Sequence, residues 1–121
     1  MPPSDAKYDG PAFTVDVLQM ESFPVQYAVN YEVTVNSGGW KLIKDRETFE
    51  GGVLTVWLTL EAPGKGEIVT MALETLEGRF AAGTTKVERV EIHVKRTRRG
   101  EDNSKATHRL AATWPADSSV N

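Results

Sequence analysis

Apolar and polar side chains alternate along most of this chain with a period of two. The clearest run is Val25 to Asn36. Val25, Tyr27, Val29, Tyr31, Val33 and Val35 share one side, and Gln26, Ala28, Asn30, Glu32, Thr34 and Asn36 take the other. β-Branched and aromatic residues in that pattern predict a strand with one face buried and one wet, as in antiparallel sheets. A slip of one residue would turn the whole apolar set into water, so the register is well specified.

Other segments read the same way. Phe13 to Met20 begins with Phe13, Val15 and Val17 on one side, and then its alternation blurs at Leu18 and Met20. Ser37-Gly38-Gly39 marks a turn, and Trp40 to Lys44 reads as a short strand after it. Asp45 to Gly52 reads as a polar connection, and Val53 to Leu60 places Leu54, Val56, Leu58 and Leu60 inward. Pro63-Gly64 suits the centre of a type II turn. That turn would pair Val53–Leu60 with a strand over Glu67–Thr75 carrying Val69, Met71 and Leu73 inward. Residues 76–85 read as a loop. Lys86 to Thr97 carries Val90, Ile92 and Val94 inward, and Ala106 to Trp114 carries Leu110, Ala112 and Trp114. Residues 98–104 form a charged connection between these last two strands. Trp40 and Trp114 are expected to close the two ends of the core.

Seven strands at this spacing predict an all-β domain, a two-sheet antiparallel β-sandwich, with a closed antiparallel β-barrel as the alternative. The strand plan resembles immunoglobulin-like and fibronectin-like domains. That resemblance is architectural and carries no functional residue to this chain. Residues 1–11, with three prolines and a glycine, read as a flexible lead-in, 12–115 as the single domain, and 116–121 as a polar tail.

Composition narrows the function classes. The chain has 121 residues, enough for one domain with a core of its own. Its 40% hydrophobic and 26% charged content is that of a soluble globular protein. There is no cysteine, which removes thiolate catalysis, disulfides and cysteine-ligated zinc. No apolar run has the length of a membrane-spanning helix. Met1 to Lys7 has no apolar signal core, so the chain is expected to be cytoplasmic, or exported with its signal removed.

Catalytic and metal motifs do not emerge. The two histidines, His93 and His108, fall in the last two strands. Pairing Val94 with Leu110, Ile92 with Ala112 and Val90 with Trp114 sends the imidazoles to opposite faces. Asp45, Glu47 and Glu50 alternate with Lys44 and Arg46 and lack the spacing of a calcium loop. No Gly-x-Ser-x-Gly or phosphate-loop pattern occurs. The chain is therefore expected to be non-catalytic and to need no cofactor or metal.

Charge is unevenly spread. The net charge is -3, yet residues 86–109 hold eight basic side chains against four acidic ones. Lys95, Arg96, Arg98, Arg99 and Arg109 make this region a candidate contact surface for an acidic protein partner. In the register above, Lys95 would face Arg109, an unfavourable like-charge pair. The competing explanation is edge protection against unwanted strand pairing. No aromatic residue is interleaved with the basic run, which disfavours nucleic acid. Trp57 alternates out of phase with Leu54, Val56, Leu58 and Leu60 and should point outward. It is the candidate residue for the alternative function, a carbohydrate- or small-ligand-binding module. An uncovered edge strand would also allow a homodimer.

Overall fold

The computed structural model describes residues 7–116. Seven strands form two stacked sheets, neither closed into a barrel, so the chain is a β-sandwich. The strands are β1 (Phe13–Met20), β2 (Gln26–Val35), β3 (Lys41–Glu50), β4 (Val53–Ala62), β5 (Glu74–Gly83), β6 (Arg89–Arg98) and β7 (Arg109–Trp114). One sheet has the order β1-β2-β5 and the other β3-β4-β6-β7. Four of the five pairings are antiparallel; the exception is the parallel pair β4–β6 at the centre of the larger sheet. No helix among the described residues is long and apolar enough to cross a membrane. Residues 1–6 of the expected lead-in and 117–121 of the expected tail lie outside the described residues.

The inward phases expected for β2, β4 and β6 make the core. Val29, Tyr31, Val33 and Val35 meet Leu54, Val56, Leu58, Leu60, Val90, Ile92 and Val94, all buried. Tyr31 lies over the backbone of its β5 partner Gly78, where any Cβ would overlap the ring. That close approach requires glycine.

Three segments depart from the sequence expectation. Asp45–Gly52 is not a connection: β3 continues to Glu50, and Gly51 (φ 58°) and Gly52 (φ 80°) form a two-residue hairpin turn into β4. The continuation was hidden because Asp45 is an extra residue between Lys44, which pairs with Leu58, and Arg46, which pairs with Trp57. Such a bulge breaks the period of two. Residues 67–73 are not a strand, although Ile68-Val69-Thr70 favours one. They carry the chain from β4, inside one sheet, over the end of the sandwich to β5 in the other. The residues read as a loop, 76–85, instead supply most of β5, because β2 offers its free side there.

Strands β2, β4 and β6 all finish at one end of the sandwich, the upper end. It is built from residues 7–12, 36–40, 63–73 and 99–108. At the free side of β3, Lys44 and Glu47 fall in phase with the core positions Leu58 and Val56 and bond each other at 3.3 Å. Charges turned inward and a bulge are both features that discourage strand addition.

Candidate functional site

The six side chains singled out from the sequence separate into three groups. Trp57 and Lys95 lie on the outer face of the four-stranded sheet, Arg98 and Arg99 tie the upper loops together, and Arg96 and Arg109 line a cavity.

On the outer face, Trp57 on β4 pairs with Arg46 on β3 and His93 on β6. The His93 ring stacks on the indole with centroids 5.7 Å apart, and the Arg46 guanidinium sits 4.9 Å from the ring centre. Because β3 and β6 flank β4 from opposite sides, both faces of the indole are covered. His93 Nε2 in turn meets Glu91 at 3.1 Å, and Arg89 Nε donates to the same carboxylate at 2.9 Å. The Arg89 hydrogen bond, opposed by burial and helped by His93, holds the Glu91 carboxyl below its usual range.

Asp45 makes a second cluster on that face. It accepts from Thr59 Oγ1 at 2.6 Å and meets His108 Nε2 at 2.9 Å. Burial alone would raise the Asp45 carboxyl, but the bonds to Thr59 and His108 outweigh it and the carboxyl lies below its usual range. The two histidines thus share one face, contrary to the sequence expectation. The cause is a register shift between Ile92 and His93: Val90 and Ile92 keep Trp114 and Ala112 as partners, but His93 now pairs with Leu110 and Val94 with Arg109. The same shift removes the expected Lys95–Arg109 opposition. Sharing a face does not make a metal centre, since each histidine has its own carboxylate and no group of three ligands converges among the described residues.

Arg99 is a latch. Its Nη1 bonds Glu67 Oε1 at 2.7 Å, its Nε bonds Glu61 at 3.1 Å, and its Nη2 donates to the Gly39 carbonyl at 2.9 Å. The two carboxylates strengthen its hold on the proton. Arg98 Nη1 donates to the Pro63 carbonyl at 2.9 Å, and Asn103 closes the turn by bonding both Arg98 N and Arg98 O. These two arginines join three loops that are remote in sequence.

Arg96 and Arg109 have a different setting. With Lys105 they line a cavity of about 160 Å³, completed by Tyr8, Asp9 and Thr107. Asp9 Oδ1 accepts from Arg96 Nη1 at 3.2 Å and is the one carboxylate lining this cavity among the described residues. Among the described residues, Arg109 Nη1 bonds the Lys7 carbonyl, at 3.4 Å. Tyr8 fixes residues 7–12 in place. Its ring packs edge-on against Phe13 at 6.1 Å, and its hydroxyl donates to the Pro11 carbonyl at 2.6 Å. Burial, with the Arg96 charge opposing, pushes that phenol up to about 12.

Arg96 also borders two further cavities. One, of about 250 Å³, includes Trp40, Arg98 and Asn103. The other, of about 380 Å³, includes Pro11, Val35, Trp40, Leu73 and Arg98. Tyr8, Asp9, Trp40, Leu73 and Lys105 were not singled out as site residues from the sequence. Trp40 is the one with a usable signal, a large aromatic directly after a Ser-Gly-Gly turn at the end of a core strand.

Compared with known proteins, the chain matches no family model, no curated protein and no solved structure.

Proposed function

We propose that this chain is a non-catalytic interaction module that takes an acidic protein partner at its upper end. The observation that carries this reading is the convergence of Arg96, Lys105 and Arg109 on one cavity whose lining offers Asp9 as counter-charge. Cations with so little compensation among the described residues favour an anionic partner and speed its approach. Arg98 and Arg99 contribute indirectly, by holding the loops that shape the cavity. Lys95 points to the outer face and is not part of the contact.

The carbohydrate reading through Trp57 has less support. A sugar would have to displace Arg46 or His93 from the indole.

The test is a capture experiment from an extract of the source cell. Immobilised wild type is compared with the triple variant Arg96→Gln/Lys105→Gln/Arg109→Gln and with Arg46→Gln on the outer face. A partner held by wild type and by Arg46→Gln but lost from the triple variant is the expected result. Equal capture by all three would place the contact elsewhere and end this reading.

A further inference from the structure

The upper end carries two cavities that share the Arg96 side chain. On one side of Arg96 lies the cationic cavity. On the other lies the larger cavity, where Trp40, Leu73, Val35 and Pro11 supply apolar wall beside Thr34, Asn36 and Arg98. The loop that supplies Leu73 leaves its aliphatic side chains in water: Ile68 is 101% exposed, Met71 83% and Leu73 75%. Of these, Leu73 also lines the larger cavity, so an exposed aliphatic side chain stands at the rim of a concave space, unlike a lone surface leucine.

The chain also carries its own indication of what fits against Arg96. Asp9 holds the guanidinium at 3.2 Å while its side chain remains 80% exposed. An exposed pair of this kind is weakly held. Asp9 therefore occupies a carboxylate position that an incoming carboxylate can take over.

Resting on the proposed function, we infer that the partner presents an extended segment in which an acidic residue neighbours a bulky aliphatic one. The acidic side chain replaces Asp9 on Arg96, within reach of Lys105 and Arg109. The aliphatic side chain enters the cavity between Trp40 and Leu73. The cations select the charge, and Trp40 and Leu73 distinguish this segment from a merely acidic one.

The experiment measures fluorescence anisotropy with three labelled peptides of equal length: alternating Glu and Leu, alternating Glu and Ala, and alternating Gln and Leu. The Glu–Leu peptide is expected to bind about tenfold tighter than either other peptide. Arg96→Gln and Leu73→Asp should each weaken it by a similar factor, and Arg46→Gln should leave it unchanged. Asp9→Asn should tighten it by about two- to threefold, because removing the competitor raises the competent fraction. Loss of folding cannot produce that gain.

Several results would overturn the inference. They are equal binding of the Glu–Leu and Glu–Ala peptides, weaker or unchanged binding by Asp9→Asn, and Leu73-dependent binding of phosphatidylserine vesicles in place of the peptide. If capture from extract still depends on Arg96, Lys105 and Arg109 while the Glu–Leu peptide fails, the segment chemistry falls and the interaction module stands.

Discussion

The outer face of the four-stranded sheet and the upper end are both rich in charge and aromatic rings, but they differ in how completely those groups are used. On the outer face, Arg46, Trp57, His93, Glu91 and Arg89 form a continuous row, and Asp45 joins Thr59 to His108. Each group is a partner to its neighbour. At the upper end Arg98 and Arg99 are similarly engaged, while Arg96, Lys105 and Arg109 surround a cavity that, among the described residues, holds one exposed aspartate. The exposed Leu73 lines the neighbouring cavity, which shares Arg96 with it. A basic run in a sequence therefore does not mark a site by its charge alone. What distinguishes the site is the part of that charge left over after the fold has been tied together.

The contrast can be broken most sharply at Trp57. Its Ala variant should lose about 2–3 kcal/mol of stability, less than a fully buried tryptophan because the ring is partly exposed. Partner capture should persist at temperatures where the variant stays folded. Chemical denaturation read beside capture checks both halves.

Arg99→Gln should come next in effect. It releases Glu61, Glu67 and the Gly39 carbonyl together, so limited proteolysis should cut within 63–73 or 99–108 faster than in wild type, while the core strands stay protected.

Acid should separate the two regions further. The folded Asp45 carboxyl lies below its usual range, so its contribution is complete above the ordinary carboxylate value of about 4 and disappears as pH falls through the lower folded value. The melting temperature of Asp45→Asn should accordingly lie below that of wild type at neutral pH, and the gap should close in acid. A gap that widened in acid would contradict the assignment.

The smallest stability effect is expected at Arg96. Arg96→Gln should shift unfolding by no more than about 0.5 kcal/mol, as for other exposed positions, while removing capture. A large loss of stability would make Arg96 another latch and erase the contrast.

Much of the fold was legible because burial on one side of a strand imposes a period of two, and Tyr27–Val35, Leu54–Leu60 and Val90–Val94 keep that period unbroken. It was lost where one residue was added. Asp45 hid the second half of β3, and the shift after Ile92 moved His108 to the other face from the one expected. The Ile68-Val69-Thr70 segment misled for another reason: its intrinsic preference for a strand is overridden by the need to cross between sheets. Of the site, the outward direction of Trp57 and the basic character of residues 95–109 were readable. The division of those cations between latch and cavity was not, because Glu61, Glu67, Gly39 and Asp9 reach them only through the fold.

The most direct test of the upper-end account is a backbone amide chemical-shift map of the isotope-labelled protein titrated with the Glu–Leu peptide. The account predicts saturable shifts at Asp9, Gly10, Trp40, Leu73, Arg96 and Lys105, with Trp57, His93 and Glu91 unmoved. Shifts centred on Trp57 and its neighbours, with the residues around Arg96 silent, would contradict it.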